Sequence, residues 1–363
     1  MGATAYGFHS LRDVMASKIT VAGVERVRDA VQVTTAEHVR QLNELMGGVV
    51  QRTTMAKARF DLPTGGTLQP LDEYGNPKPV QTGDYYELGF PIQGGGTAYG
   101  TNRVSRAKMT VQQLNDLTLD VQRKDADWLM RHMLAAVLCN TNWTFTDISP
   151  EIGNVTVKPL ANSGTGDTDK YAFAGGTVAT DDHYLATASA IADGTNPFGN
   201  IYKKLNEHPD NIGEYAVYVP TNLADAVGAL TECIEKPDRN VVLGANSDTL
   251  TNDGSRHLRF GQRVIGYLKS SQMWAIEWKR LPSNYMFAVA PDGPTPPLRM
   301  REHEEAELQG LFPEFASPDG NLELQKFIRM AGFGVFNRTA AVVQYIGGAS
   351  YVIPSGYTTP LAV

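Results

Sequence analysis

A loop-rich α+β fold follows from three features of the chain. There are 35 glycines and 20 prolines in 363 residues, above the ~12% usual for the two together, which favours turns and long loops over a helical bundle. A single uninterrupted helical run lies in the first half, and strand-like segments bounded by turn formers dominate the second. Hydrophobic residues make up 42% of the chain, sufficient for a real core.

The first element is a helix start at "TTAEHVRQLNELMGG", where Thr34 and Glu37 have capping-box spacing and Gly47-Gly48 supplies a stop. Val39, Leu42 and Leu45 give this helix only a narrow apolar stripe. Next comes a long hairpin, "LDEYGNPKPVQTGDYYELGFPIQGGGTAYG", entered through "KARFDLPTGGT". On its returning arm Tyr86, Leu88, Phe90 and Ile92 share one face, and Tyr85, Glu87, Gly89 and Pro91 share the other. An isolated two-stranded ribbon is marginal in water. Its apolar face therefore needs a partner from elsewhere, and Gly65-Gly66 and Gly94-Gly95-Gly96 read as hinges at its ends.

The run beginning "MTVQQLNDLTLDVQRKDADWLMRHMLAAVLCN" opens on a second capping box, Thr110 with Gln113. Neither Gly nor Pro interrupts it before Cys139, which predicts a helix of roughly 29 residues, about 43 Å long. Leu114, Leu117, Val121 and Trp128 form one stripe in its first half, while Leu129 to Cys139 is apolar nearly all round except Arg131 and His132. This helix starts on a surface and ends in a core. Beyond it, "TDDHYLATASAIADG", "PFGNIYKKLNEHPD" and "NLADAVGALTECIE" read as helices, and "EYAVYVPT", "QRVIGYLKSS" and "MWAIEW" as strands. In the closing run, Phe327, Ile328, Met330, Phe333, Val335 and Phe336 break strict alternation, which predicts two-sided burial or a bulge near Gly332 in a strand at the centre of a sheet.

Several function classes lose support at this point. The net charge of −7, with both signs interspersed, offers no basic stripe for a phosphate backbone. The N-terminal residues lack a signal-peptide pattern and no apolar run approaches ~18 residues, so neither secretion nor a membrane span is expected. The sequons "NWT", "NVT" and "NRT" are accordingly expected to carry no sugar. Cys139 and Cys233 are expected to be reduced thiols. No phosphate loop, dinucleotide fingerprint, nucleophile elbow or paired-cysteine metal motif occurs, so neither a cofactor nor an enzymatic activity is expected.

Three weaker constellations have plainer readings. His303, Glu304 and Glu307 in "REHEEAE" could meet a cation, but a solvated acidic loop explains them better. Asp182 could orient His183 as a base, although Asp181 as an N-cap followed by an exposed histidine is simpler. "SGTGDTD" has oxygen donors without the EF-hand spacing, and reads as a turn cluster.

The order of parts (polar arm, long hairpin, spine helix, α/β insertion, returning strands) resembles the major capsid proteins of tailed double-stranded DNA bacteriophages, the Hong Kong 97-like capsid fold. The resemblance runs from about Lys57 to Ile353. Its most specific stretch is "RLPSNYMFAVAP", "PLRMREHEE" and "DGNLELQKFIRMAGFGVFNRTAAVVQYI", with a proline-containing turn into a strand and an aromatic step before an arginine and "AAVV". It implies an N-terminal arm at 1–56, an E-loop at 57–107, a P-domain spine helix and following segment at 108–158, an A-domain at 159–281, and P-domain return strands with the C-terminal tail at 282–363.

The same resemblance implies a shell of hexamers and pentamers of this chain, located in the virion and assembled in the host cytoplasm. Portal, a separate scaffolding protein and a decoration protein are the implied partners, with only weak nonspecific contact to packaged double-stranded DNA. Only about fifty residues precede the E-loop, too few for a fused scaffold. The E-loop face Tyr86, Leu88, Phe90 and Ile92 is expected to lie on a neighbouring subunit.

Some members of the family join subunits by an isopeptide bond. Lys78 at the loop tip and Asn321 are the counterparts of the joined pair, but the position expected to hold the assisting carboxylate is Ile328, so a noncovalent shell is expected. Two other classes stay open. An encapsulin-like nanocompartment shares the fold, with a cargo-binding groove near its N-terminal helix, and a soluble hydrolase would use the Asp182-His183 pair or the acidic loop.

Overall fold

Thr110 and Gln113 form the expected reciprocal cap: the Gln113 amide donates to Thr110 Oγ1 at 3.2 Å and the Thr110 amide to Gln113 Oε1 at 3.0 Å. The helix that follows, Val111–Leu138, runs for 28 residues. Its last turns are buried all round, with His132 and Leu134 through Cys139 at 2% exposure or less. The computed structural model of the protein describes residues 11–61, 71–76, 85–102, 107–161, 169–174, 177–235, 263–316 and 322–358. The chain divides into two compact units. The first comprises Met1–Glu44, Gln93–Leu129 and Glu302–Ala331, the second Leu45–Ile92, Met130–Arg301 and Gly332–Val363.

In the first unit, the helix Val24–Met46 is longer than its cap signal predicts. Thr34 and Thr35 are inside it, and their hydroxyls donate back to the carbonyls of Ala30 at 2.7 Å and Val31 at 2.8 Å. That back-bonding lets a threonine pair continue a helix instead of starting one. Val31 and Val39 of this helix pack with Leu114 and Val121 of the long helix and with Leu311 and Phe327. Those last two residues belong to a sheet in which Leu322–Val335 is flanked antiparallel by Gln93–Asn102 and Leu311–Ala316, with Phe327 opposite both Thr97 and Pro313.

Gly95 and Gly96 are therefore strand residues rather than hinges. A Cβ on Gly95 would stand 2.8 Å from the Trp128 ring, and one on Gly96 would stand 3.1 Å from the Phe327 carbonyl oxygen. Beside them a buried ion pair closes the unit. Arg329 donates from Nε and Nη2 to the two Asp125 oxygens at 2.5 and 2.8 Å, and His38 Nε2 lies 3.0 Å from Asp125 Oδ2.

The second unit centres on a seven-stranded sheet. Its spatial order is Cys233–Glu235, Arg263–Leu268, Met273–Glu277, Tyr215–Val219, Tyr285–Val289, Ala341–Ile346 and Tyr184–Thr187. Every residue of Tyr215–Val219, Met273–Glu277 and Tyr285–Val289 is buried, so both faces of the middle of the sheet are covered. Phe198, Ile201 and Leu205 of the helix Phe198–Asn206, with Val227 of the helix Thr221–Gly228, share one core with Val217, Met286 and Val342. Strands from before and after residue 281 are interleaved in this sheet.

Two helix expectations fail in this unit. "TDDHYLATASAIADG" forms the edge strand Tyr184–Thr187, parallel to Ala341–Ile346, because pairing with a buried strand overrides the helix propensity of its alanines. "NLADAVGALTECIE" stops being helical at Gly228, and its end becomes the strand Cys233–Glu235 against Arg263–Leu268. Gly266 admits that edge: a Cβ there would sit 2.6 Å from the Ile234 carbonyl oxygen. In the closing run, Phe327 and Arg329 are buried while Ile328 and Met330 are half-buried, and burial becomes continuous from Ala331, which is the two-sided burial expected near Gly332.

Removing one member of a buried, hydrogen-bonded ion pair strands the other. Arg329→Met should destabilise the chain by about 3–5 kcal/mol, whereas Arg329→Met combined with Asp125→Leu should recover most of the loss. Chemical denaturation of the three proteins measures this, and equal stability of the single and double variants would contradict the assignment.

Candidate functional site

The hairpin root is built from Lys57–Asp61 paired antiparallel with Tyr85–Gly89, with Phe60 opposite Tyr86 and Ala58 opposite Leu88. Tyr86, Leu88, Phe90 and Ile92 are 4, 1, 0 and 4% exposed within the chain itself. This corrects the expectation that they await a neighbouring subunit. Phe60 stacks on Tyr86 at 5.1 Å between ring centroids, Tyr171 meets Tyr86 edge-on at 5.8 Å, and Phe336 lies 5.3 Å from Phe60. The Arg299 guanidinium covers Phe336 at 3.3 Å.

Close backbone approach makes this burial possible. A Cβ on Gly332 would fall 2.3 Å from the Pro91 carbonyl oxygen, and one on Gly334 would fall 2.6 Å from the Phe90 ring. On the other face, a Cβ on Gly89 would lie 2.0 Å from Val155. Arg301 locks the end of the root, donating to the Phe90 carbonyl at 3.1 Å and pairing with Asp147.

What the hairpin leaves open is its tip. Residues 71–76 form a turn organised by Asp72, whose Oδ1 accepts from the amides of Tyr74 at 2.9 Å and Asn76 at 2.7 Å. Leu71 is 61% exposed and Tyr74 is 88% exposed. Lys78, Asn321, Gly65 and Gly66 lie outside the described residues.

A second cluster is one the sequence did not assemble. Asp181, His183 and His208 are, among the described residues, the grouping of three His, Cys, Asp or Glu side chains whose donor atoms lie within metal-binding reach of one another. His183 is fully buried, not exposed, and Asp181, not Asp182, is the carboxylate that faces it. No helix follows for Asp181 to cap; its Oδ1 accepts from the Asp182 amide and from Lys204. Burial drives His183 well below the ordinary imidazole range. Burial pushes the Asp181 carboxyl up, but its contacts with His208, His183 and the Lys204 ammonium outweigh it and hold the group at about 2.

His208 lies two residues beyond a helix in "LNEHPD", and nothing in that stretch points to residue 181. By contrast, His303, Glu304 and Glu307 do not converge: His303 Nδ1 accepts from the Glu305 amide at 3.1 Å, and the acids are exposed around the short 3-10 turn Ala306–Leu308. Asp169, the last residue of "SGTGDTD", pairs with Lys158 and Arg338. Both cysteines are free thiols. Among the described residues no helix is long and apolar enough to cross a membrane.

No protein-family model and no curated protein matches the chain. Among solved structures, a chain from Mycobacterium phage Patience superposes with a TM-score of 0.65 at 16% identity, covering 99% of this chain and 98% of that one. This chain has the Hong Kong 97-like fold. A chain of the bacteriophage PhiM1 mature capsid (8% identity, 82% and 84% of the two chains, TM-score 0.49) and one of the cyanophage P-SCSP1u capsid (11%, 84% and 88%, 0.48) are more distant. At 16% identity the likeness to the Patience chain establishes the fold and not, by itself, what the chain does.

Because the aromatic root is intrachain, Phe336→Ala should destabilise the isolated subunit by about 3–5 kcal/mol, the usual range for emptying a phenylalanine site. Denaturation of unassembled protein checks it; a loss under about 1 kcal/mol would mean that the root is held by another subunit.

Proposed function

We propose that this chain is the major capsid protein of a tailed double-stranded DNA phage, assembling with copies of itself as hexamers and pentamers into the icosahedral shell of the virion. The reading rests on the Hong Kong 97-like fold, shared over nearly the full length of a phage chain. The described residues add a physical reason: a hairpin with a buried root presents Leu71 and Tyr74 on an ordered turn. Two large exposed apolar side chains on one turn are poorly placed for the chain alone and well placed to seat on a second copy.

The remaining parts follow the same proposal. Residues 1–56 act as the arm, 57–107 as the E-loop, 108–158 as the spine and the segment after it, 159–281 as the A-domain and 282–363 as the returning strands and tail. Synthesis and assembly take place in the host cytoplasm. Portal and a separate scaffolding protein are the expected partners, a decoration protein is an optional one, and the packaged DNA is touched weakly. The role is structural and non-enzymatic.

Two measurements test it. Leu71→Ser combined with Tyr74→Ser should leave a subunit with unchanged circular dichroism, while the yield of closed shells by electron microscopy falls at least about tenfold, the equivalent of ~1.4 kcal/mol at one anchor. Wild-type protein that stays monomeric under all assembly conditions sinks the proposal. The shell should also be noncovalent, since Ile328 stands where a carboxylate would have to assist amide formation between Lys78 and Asn321. Denaturing electrophoresis of mature particles should give one band at the 39.5 kDa monomer; a ladder that Lys78→Ala abolishes would refute it.

A further inference from the structure

Asp181 and His183 precede the strand Tyr184–Thr187, and His208 follows the helix Phe198–Asn206, so three donor atoms arrive at one point from two places in the chain. His183 Nε2 and His208 Nε2 are 3.3 Å apart, His208 Nε2 and Asp181 Oδ2 are 3.3 Å apart, and His183 Nε2 and Asp181 Oδ2 are 3.6 Å apart. That near-equilateral triangle has a natural scale. Ligands held about 2.0–2.1 Å from a tetrahedral zinc ion are separated by about 3.3–3.4 Å. An octahedral cation with bonds of about 2.1 Å would draw adjacent ligands to about 3.0 Å.

Proton counting points the same way. His208 Nδ1 lies 2.9 Å from the Ala172 carbonyl oxygen, which only accepts, so this nitrogen carries the hydrogen and a neutral His208 presents a lone pair at Nε2. His183 Nδ1 is buried with no hydrogen-bond partner. A neutral His183 with its one proton on Nε2 must share it between two acceptors, His208 Nε2 and Asp181 Oδ2. A divalent cation at the centre would take the lone pairs of all three atoms at once, with the His183 proton moved from Nε2 to Nδ1.

The surroundings fit a structural ion. The Ala172 carbonyl orients His208, while Lys204 and the Asp182 amide hold Asp181 Oδ1 and leave Oδ2 directed at the imidazoles. The two nearby cations have further carboxylates of their own, Glu207 at 3.0 Å from Lys204 and Asp169 at 3.4 Å from Arg338. Tyr171 stands edge-on to His183 at 4.8 Å and Phe173 lies 5.2 Å from His208, which walls the site with rings. His183 is 0% and His208 2% exposed, so both imidazoles face the interior of the unit.

We propose that Asp181 Oδ2, His183 Nε2 and His208 Nε2 bind one zinc ion per chain, with water as the fourth ligand, and that the ion ties the segment before the edge strand to the end of the neighbouring helix. The proposal is independent of shell assembly, because all three ligands belong to one chain and one compact unit.

The test uses the full chain expressed in zinc-supplemented medium and dialysed against metal-free buffer. Elemental analysis should find roughly one zinc per chain, and protein reloaded with Co2+ should show the intense visible absorption of a four-coordinate site. His208→Gln and Asp181→Asn should each weaken zinc binding by more than about 100-fold, beyond the 10–100-fold typical of losing a supporting outer partner. His303→Gln, in the exposed loop, should leave it unchanged. Less than about a tenth of an ion per wild-type chain together with no tetrahedral Co2+ spectrum overturns the proposal, as does undiminished zinc in a folded His183→Gln/His208→Gln variant. Should the variants not fold, the wild-type metal content and Co2+ spectrum decide alone. A zinc-free chain that still forms shells would refute this site and leave the capsid reading intact, and a zinc-loaded monomer would do the reverse.

Discussion

Three missing Cβ atoms hold the hairpin root. Gly89, Gly332 and Gly334 let the strand Tyr85–Gly89 and the two residues after it approach the strand Asn154–Val157 on one side and the strand Leu322–Val335 on the other to distances that any side chain would forbid. Only with that approach can Phe336 reach Phe60 and Phe90, and only then does the Arg301 guanidinium lie within hydrogen-bond range of the Phe90 carbonyl. A two-stranded ribbon alone is marginal; packed from both sides at its base, it becomes an extension of a core. The root fixes where the hairpin begins, and the Asp72 turn fixes how its tip presents Leu71 and Tyr74.

Buried charge performs a related task at places where distant segments meet. Arg329 with Asp125, Arg301 with Asp147, and Arg338 with Tyr171, Asp169 and the Pro159 carbonyl each join residues more than 150 positions apart. Such pairs add little net stability over well-packed apolar residues, because desolvation offsets most of the attraction. Their consequence is selective: a misregistered return of the strand Leu322–Val335 would leave a guanidinium buried with no acceptor, at a cost far above that of a misplaced leucine. The Phe327 register opposite Thr97 and Pro313 is thereby tied to the Arg329 contact two residues away.

Local chemistry in the sequence was legible, and the identity of distant partners was not. The Thr110–Gln113 cap, the passage of the long helix into full burial and the strands Tyr215–Val219 and Met273–Glu277 all follow from spacing and periodicity over a dozen residues. Thr34 misled because a threonine that back-bonds to the carbonyl four residues earlier looks the same in sequence as one that caps. The segment at 180–194 misled because its alanines favour helix, and the strand that captures its residues 184–187 lies about 160 residues later. The hairpin face was correctly read as apolar and in need of a partner, but Tyr171 and Phe336 could not be recognised as that partner from a one-dimensional pattern. Gly95 looked like a hinge for the same reason, since the Trp128 ring that excludes a side chain there lies on another element.

The same limit applies to the histidine cluster. A metal motif is readable when its ligands share a helix face or a short loop, since spacing then encodes geometry. Here two ligands precede an edge strand and the third follows a helix, 25 residues after His183, so the sequence carries no spacing to read and only the three-dimensional return exposes it. That arrangement also explains why the edge strand needs support. Among the described residues Tyr184–Thr187 pairs on one side only, and its four residues are all half-buried. The ties of Asp181 to Lys204 and His208, with or without the proposed ion, fix that start to the helix Phe198–Asn206, whose inner face is part of the central core. One edge of the seven-stranded sheet is thereby tied to the core that its central strands bury.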